Sequence, residues 1–214
     1  MCDAGGVIHN GVSLFDGAAE ALLAFRQERG PVVIITNAPR PSSVIPPQLD
    51  RLGLPRAAYD AVVTSGDATV AAVEARKGQN AFRIGPAKDE ELYCGLNVDF
   101  TPLERADFII CSGLNDDLRD APDDYRPLLE AAAARRLPMI CANPDVIVRL
   151  GGRLIFCAGA LAEIYAELGG EVIYAGKPFA PIYELALKRI FAIAVRIVSS
   201  VRVLAVGVGF LSYM

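Results

Sequence analysis

The stretch GAAEALLAFRQERGPVVIIT, residues 17–36, decides the fold of this chain. Apolar residues recur at helical spacing up to Phe25, Gly30 ends the pattern, and residues 31–36 follow as a short, mainly β-branched apolar run. A helix that leads into a strand buried on both faces is typical of a βα unit. Similar alternation continues along the chain and predicts an α/β protein around a mainly parallel sheet. Further strands are expected at residues 81–84, 107–111, 138–142, 154–157 and 201–206, and helices near 122–136 and 158–168.

Composition excludes several classes of function. The 214 residues are 53% hydrophobic, which is enough for a packed core. The net charge of -4 comes without any basic block, so nucleic acid is not an expected partner. The five cysteines are widely spaced and contain no C-x-x-C pair. We therefore expect small buried thiols in a reducing compartment, which indicates the cytoplasm.

Neither export nor membrane insertion is expected from the sequence. The N-terminus has no basic region followed by an apolar one, as a secretory signal would. The apolar run 190–211 contains Arg196 and Arg202, and a charge at mid-span costs about 2.5–3.5 kcal/mol. We expect a buried helix and a strand there instead.

Three residues stand where a phosphate group could be held. Asp3 precedes a glycine pair, Thr36 ends the most apolar strand, and Lys177 precedes a helix beginning near Pro181. Ligands collect at strand ends in open α/β sheets, and a cation beside a helix N-terminus is tolerable when an anion lies between them. Each residue alone also has a structural interpretation, as a solvated aspartate, a strand end and a turn lysine.

Two other motifs receive no functional role. Gly207-Val208-Gly209-Phe210-Leu211-Ser212 nearly matches the dinucleotide fingerprint, but Ser212 replaces its third glycine and no helix follows. His9 is the only histidine, which excludes a multi-histidine metal site. A single histidine in a polar loop is most often an ordinary surface residue.

Four short motifs, in this order, resemble those of the haloacid dehalogenase superfamily. They are residues 3–7 (DAGGV), 34–37 (IITN), 175–178 (AGKP) and 204–209 (LAVGVG). Residues 141–145 (CANPD) also resemble a cap segment of the class IIA branch, which includes nitrophenyl-phosphatase-like enzymes. The resemblance implies a Rossmann-like parallel-sheet core, residues 1–79 and 173–214, with an inserted α/β cap domain, residues 80–172.

The resemblance also implies roles for particular residues in hydrolysis of a small phosphorylated metabolite. Asp3 would be the nucleophile that forms an aspartyl-phosphate. Thr36, Asn37 and Lys177 would bind phosphate, and Lys177 would also neutralise charge during catalysis. Mg²⁺ would face Asp3 and the main-chain carbonyl of Gly5. In the cap, Asn143 and Asp145 are candidates for contact with the substrate.

The sequence departs from the family pattern at two motifs. Gly5 stands where the general acid/base aspartate is expected, and Val208, Ser212 and Tyr213 stand where metal-binding carboxylates are expected. Only Met1 and Cys2 precede Asp3, and the sequence ends within the fourth motif. From the resemblance we therefore expect a chain truncated at both ends. An impaired phosphatase is the leading hypothesis. A non-catalytic phosphate-ligand-binding or interaction protein is the alternative, and the oligomeric state is left open.

Overall fold

The computed structural model describes residues 1–150, 153–194 and 202–207. Within these residues the chain forms two separate parallel sheets and one two-stranded antiparallel hairpin. Helices pack on both sheets, and the expected α/β class is confirmed. No helix in the described part of the chain is long and apolar enough to cross a membrane.

The first sheet places the N-terminal strand beside the strand that decides the fold. Its order is β1 (Cys2–Asp3), β2 (Val33–Thr36) and β3 (Ala61–Thr64), all parallel. Asp3 lies opposite Ile35, so β1 and β2 end at the same edge of the sheet. On the other side of β1, the Asp3 N–H donates to the Val206 carbonyl at 2.9 Å. In the described part of the predicted strand 201–206, residues 202–206, the pairing with β1 is one isolated bridge between Cys2 and Val206. The Val206 N–H completes it by donating to the Met1 carbonyl at 3.0 Å.

Four helices accompany the first sheet. They are α1 (Ala18–Glu28), α2 (Ile45–Arg51), α3 (Ser65–Glu74) and α7 (Ala180–Ala194). Helix α7 buries Ile182, Ala186 and Ile190 against the strands β2 and β3. Helix α3 begins with a capping box, in which Thr64 Oγ1 accepts from the Asp67 N–H and Asp67 accepts from the Thr64 N–H. This cap fixes where the chain turns from β3 into α3.

The second sheet has five parallel strands in the order β10, β7, β6, β4, β5. Their bounds are β4 (Asn80–Ile84), β5 (Asp99–Phe100), β6 (Phe108–Cys111), β7 (Met139–Cys141) and β10 (Val172–Tyr174). Strands β6 and β7 are buried on both faces, which explains their uninterrupted apolar sequences. The chain runs from β4 outward to β5 and then back past β4 to β6, as in doubly wound sheets.

The helices and the hairpin of the second sheet follow the expected segments with some differences. The helices are α4 (Glu90–Cys94), α5 (Arg126–Ala134) and α6 (Ala158–Glu167), and the hairpin joins β8 (Ile147–Leu150) to β9 (Arg153–Phe156). The sequence predicted a strand near β9 but neither β8 nor α4. Both are short, and Arg149 interrupts the apolar pattern of β8.

The second sheet ends slightly later in the chain than the sequence division at residue 172. Strand β10 pairs with β7 up to the match of Tyr174 with Cys141. The sequence division had placed residues 173 and 174 of this strand with the core, whereas their hydrogen-bonded partners are in the second sheet. The division into a discontinuous core and an inserted cap remains a prediction.

Four of the five cysteines are buried, and all five are unpaired. The exception to the expected burial is Cys94, which is exposed at the end of α4. Its helix turns the apolar side chains of Leu92 and Tyr93 inward and leaves the thiol outside. Composition alone could not distinguish this cysteine from the other four.

Candidate functional site

An ion pair between Asp3 and Lys177 forms the centre of the candidate site. Lys177 Nζ lies 2.5 Å from Asp3 Oδ1, and the two side chains are only 17% and 10% exposed. Asp3 ends β1, whereas Lys177 follows β10 and precedes α7. Lys177 lies near the N-terminus of a helix, where a cation is unfavourable, and the Asp3 carboxylate is the anion that offsets its charge.

Thr36 stands at the same edge of the first sheet. It follows Ile35, which is paired with Asp3, and its side chain is half-buried. Thr36 Oγ1 accepts a hydrogen bond from the Ala38 N–H at 3.3 Å, which keeps the hydroxyl beside the loop after β2. The carboxyl ends of β1 and β2 thus bring a carboxylate and a hydroxyl to the same edge of the sheet.

Asn37 is buried and connects three segments of the chain. Its Oδ1 accepts from the Lys177 N–H at 2.7 Å, and its Nδ2 donates to the Lys177 carbonyl at 3.0 Å. The same Nδ2 donates to Asp145 Oδ1 at 2.9 Å. The predicted residues Asn37, Asp145 and Lys177 are therefore joined by direct hydrogen bonds.

Asn143 and Asp145 occupy different positions in the loop after β7. Asn143 is buried, and its Oδ1 accepts from the Asp145 N–H at 3.1 Å, so this carboxamide oxygen orders its own loop. Asp145 instead reaches Asn37 next to the first sheet. Burial raises the pKa of Asp145, while the hydrogen bond from Asn37 and the charge of Lys177 oppose that rise.

His9 lies in the loop that follows Asp3. Its Nδ1 accepts from the Gly11 N–H at 3.0 Å, so the neutral ring carries its proton on Nε2. Burial lowers the pKa of His9, and the nearby charge of Asp3 partly offsets this effect. No role was expected for His9 from the sequence. In the structure it lies close enough to Asp3 for the carboxylate charge to act on its pKa.

Two glycines lie close to Asp3, one in sequence and one in space. Apart from Gly5 and its two chain neighbours, no atom lies within 4 Å of the position that a Cβ at Gly5 would occupy. A Cβ at Gly207 would lie 3.9 Å from the Asp3 Cβ, so the main chain of the fourth motif passes beside Asp3. Val208, Ser212 and Tyr213, which the sequence singled out in that motif, lie outside the described residues.

The described residues do not provide a complete set of donors for a metal ion. Asp3 and the main-chain carbonyl of Gly5 are the groups expected to face Mg²⁺, and the Asp3 carboxylate is already paired with Lys177. No group of three or more His, Cys, Asp or Glu residues that could hold a metal occurs in ranges 1–150, 153–194 and 202–207. One carboxylate beside an ammonium group does not by itself fit a divalent cation.

Sequence reasoning missed the contribution of Gly176. A Cβ at this position would lie 2.5 Å from Asn37 Oδ1 and 2.6 Å from Pro144 Cδ. Only glycine therefore lets the Lys177 segment approach both neighbours this closely. The glycine directly before Lys177 was a visible signal, but its close neighbours are remote in sequence.

A family profile and several solved structures resemble the chain. The profile described as haloacid dehalogenase-like hydrolase matches residues 1–99. A crystal structure of a hydrolase of the haloacid dehalogenase-like family from Brucella suis has 43% identity and a TM-score of 0.91. The match covers 97% of this chain and 76% of that one. No curated protein matches the chain significantly.

Two more distant structures share the fold. The p-nitrophenyl phosphatase from Archaeoglobus fulgidus has 20% identity and a TM-score of 0.68, covering 92% of this chain and 73% of that one. A glycerol phosphate phosphatase from Mycobacterium tuberculosis, solved in complex with magnesium, has 19% identity and a TM-score of 0.67. That match covers 88% of this chain and 57% of the phosphatase.

Proposed function

Because the chain belongs to the haloacid dehalogenase-like hydrolase family, we propose that it is a phosphatase-type hydrolase with impaired turnover. The observation that carries the proposal is the contact of 2.5 Å between Lys177 Nζ and Asp3 Oδ1 at the edge where Thr36 ends β2. A carboxylate, an ammonium group and a hydroxyl at one sheet edge match what phosphoryl transfer to a carboxylate requires. Phosphatases also occur among the structures that share the fold.

In the proposed reaction, Asp3 attacks the phosphorus of a small phosphate monoester. The new bond joins an Asp3 carboxylate oxygen to phosphorus, and the bond from phosphorus to the ester oxygen breaks. The departing oxygen takes a proton from solvent and leaves as the alcohol. Water then attacks the phosphorus of the aspartyl-phosphate and loses a proton to solvent, while the bond from phosphorus to the Asp3 oxygen breaks. This step releases inorganic phosphate and restores the Asp3 carboxylate. Lys177 offsets the negative charge of both Asp3 and the phosphoryl group during these steps.

The proposed impairment has two origins. Gly5 offers no side chain to protonate the leaving oxygen or to activate water, and loss of a positioned acid/base costs roughly 10²- to 10⁴-fold in rate. Val208 stands where a metal-binding carboxylate is expected. Mg²⁺, which would reduce the repulsion between Asp3 and phosphate, is therefore expected to bind weakly.

The substrate is proposed to be a small phosphorylated metabolite, with a leaving group that faces the loop after β7. Asn143 and Asp145 of that loop remain the candidate cap residues, since Asp145 reaches the first sheet beside Lys177. We also propose a cytoplasmic location, because all five cysteines are unpaired thiols.

A non-catalytic phosphate-binding role is the second candidate. Two observations favour it. The partly buried ion pair retains Lys177 as a cation that could bind phosphate. Gly5 leaves open space and offers no side chain for proton transfer. In this case inorganic phosphate would bind the unmodified chain and bind more weakly to Lys177→Met. Isothermal titration calorimetry of both proteins measures this difference.

The catalytic proposal is tested by Mg²⁺-dependent hydrolysis of an aryl phosphate. We expect the unmodified chain to be close to the background of Asp3→Asn, and Val208→Asp to raise the rate more than other single changes. Circular dichroism first establishes that each protein is folded. Robust hydrolysis by the unmodified chain that disappears in Asp3→Asn would contradict the impairment. Absence of both hydrolysis and phosphate binding in every folded variant would contradict the family-based function.

A further inference from the structure

We propose that Asp145 is a positioning residue for Lys177 and acts through the carboxamide of Asn37. The proposal rests on the proposed phosphate site and adds a residue from the second sheet to it. Asp145 accepts from Asn37, and Asn37 in turn holds the main chain of Lys177. The position at which the Lys177 ammonium meets Asp3 therefore depends on a loop of the other sheet.

The Asn37 carboxamide is held in one orientation by its partners. Its Oδ1 faces the Lys177 N–H, which is only a donor, at 2.7 Å. Its Nδ2 faces the Lys177 carbonyl and the Asp145 carboxylate oxygen, both acceptors, at 3.0 and 2.9 Å. A rotation of the amide by 180° would oppose donor to donor and acceptor to acceptor at these contacts. Asn37 is only 6% exposed, so water could not easily replace a lost partner.

This arrangement assigns the Asn37 side chain to Lys177 rather than to phosphate. Both hydrogens of Nδ2 have acceptors, and Oδ1 already receives one N–H. Any contact of the carboxamide with phosphate would compete with one of these bonds. Held at both its N–H and its carbonyl, the Lys177 main chain has little freedom to tilt the side chain away from Asp3.

Asp145 is itself fixed on the second sheet. Its N–H donates to Asn143 Oδ1 at 3.1 Å, and its carbonyl accepts from the Gly159 N–H, also at 3.1 Å. A Cβ at Gly159 would lie 2.3 Å from the Pro144 carbonyl oxygen, so glycine permits the start of α6 to press on this loop. Among the described residues Asp145 forms no ion pair, which leaves Asn37 as its hydrogen-bonding side-chain partner.

The test uses the full chain and three variants. Asp145→Ala removes the acceptor, Asp145→Asn retains an oxygen that can accept from Asn37, and Asp89→Ala is the matched control. Asp89 is another carboxylate of the second sheet's surroundings that accepts a side-chain hydrogen bond, but it is buried and accepts from Ser112 of the same unit. The first readout is the amide nuclear magnetic resonance spectrum, in which the Asn37 carboxamide and the Lys177 N–H are followed. The second is the affinity for inorganic phosphate.

We expect Asp145→Ala to shift both the Asn37 carboxamide and the Lys177 N–H signals and to weaken phosphate binding roughly tenfold, as loss of a hydrogen bond to a charged group does. Asp145→Asn should restore both readouts, with affinity within about twofold of the unmodified chain. In an Asn37→Ala background, Asp145→Ala should add no further loss, because Asp145 acts through Asn37. If Asp145→Ala does not fold, Asp145→Ser replaces it.

Two results would overturn the inference. One is an unchanged Lys177 signal in folded Asp145→Ala, and the other is an Asp145→Asn variant as defective as Asp145→Ala. Failure of the proposed function looks different. In that case the unmodified chain does not bind phosphate at all, while the signals of Asn37 and Lys177 still respond to Asp145→Ala and support the positioning role.

Discussion

At the scale of single residues, Asp89 shows how burial determines the behaviour of a carboxyl group outside the candidate site. It is 2% exposed and accepts from Ser112 Oγ at 2.9 Å. Burial raises the pKa of Asp89, while the hydrogen bond from Ser112 and the charges of Lys88 and Arg40 oppose the rise. Desolvation is the largest of these effects, so the net effect of folding is to raise the pKa of Asp89.

This shift predicts a pH-dependent effect of Asp89→Asn. A group whose pKa is raised on folding stabilises the protein below its unfolded pKa and loses that contribution as pH rises through the folded pKa. Asparagine cannot ionise, so the unfolding free energy of Asp89→Asn should improve relative to the unmodified chain as pH rises from about 4 to 7. Urea unfolding at several pH values measures the difference.

Asp50 provides the matched control for this experiment. The hydrogen bond from Arg56 lowers the pKa of Asp50, so ionised Asp50 stabilises the folded chain. The unfolding free energy of Asp50→Asn should therefore fall relative to the unmodified chain as pH rises. Because this pair is exposed, its effect should be small. The unfolding free energy of Asp89→Asn minus that of the unmodified chain could instead stay constant or fall as pH rises. That result would show that burial of ionised Asp89 does not destabilise the folded protein.

At the scale of secondary structure, the start of α3 determines the path of the loop after β2. Gly66 lies in the first turn of α3, and a Cβ there would be 2.3 Å from the Arg40 carbonyl oxygen. Thr64 also donates from its hydroxyl to this carbonyl at 2.7 Å. The helix start and the loop that follows Thr36 and Asn37 are therefore packed backbone against backbone.

We predict that Gly66→Ala destabilises the protein by about 1–3 kcal/mol, since the added methyl group meets main-chain atoms that must move. Gly95→Ala is the control. It lies at the end of α4 with helical φ, and its nearest contacts would be an ordinary 3.5 Å. Its effect should stay within about 0.5 kcal/mol. Urea unfolding compares the two, and equal effects would show that the loop yields without cost.

At the scale of the whole molecule, each sheet has a hydrophobic core, and Val73 of α3 also packs in a cluster with Phe108 and Ile140 of the second sheet. Leu161, Leu129 and Ile109 belong to a core of the second sheet, whereas Ile34 and Leu49 belong to a core of the first. The side-chain contact from Asn37 to Asp145 and the close approach at Gly176 join the two sheets beside the site. Such an arrangement favours two units that open separately.

This organisation predicts that a substitution that leaves a cavity in one core accelerates hydrogen exchange mainly in the sheet of that core. Leu161 is fully buried, so Leu161→Ala should cost about 2–5 kcal/mol and accelerate hydrogen exchange in β4, β6 and β7 more than in β2 and β3. Ile34→Ala, also fully buried, should show the reverse pattern. Mass spectrometry of exchanged peptides measures both. Equal acceleration of both sheets by each variant would contradict the division into core and cap.

Much of the fold was predictable because the burial pattern of each element is local. The apolar runs at β2, β6 and β7 and the helical spacing in α1 and α6 place these elements within a few residues of their observed bounds. Strand β8 and helix α4 were not predictable, since short elements carry too few residues to show a period. The pairing of β10 was likewise decided by its neighbours.

For the candidate site, the resemblance of the four motifs and their order to those of the haloacid dehalogenase superfamily grouped Asp3, Thr36 and Lys177, whereas each residue alone also had a structural interpretation. It also singled out Asn37 and Asp145, but as separate contacts for phosphate and substrate. Their mutual hydrogen bond was not visible, since the two residues are 108 positions apart. Nor was the packing of Gly176 against Asn37 and Pro144.

The sequence by itself thus determined the α/β class, the family and the residue types at the site, because side-chain periodicity and motif order are properties of the linear chain. Only the tertiary structure decided which donor faces which acceptor. Asn37 and Lys177 are 140 residues apart, and their hydrogen bonds exist only when the two sheets bring β2, β7 and β10 together. Hydrogen bonds need distances near 2.9 Å and correct direction, and those are set by the packing of the whole chain.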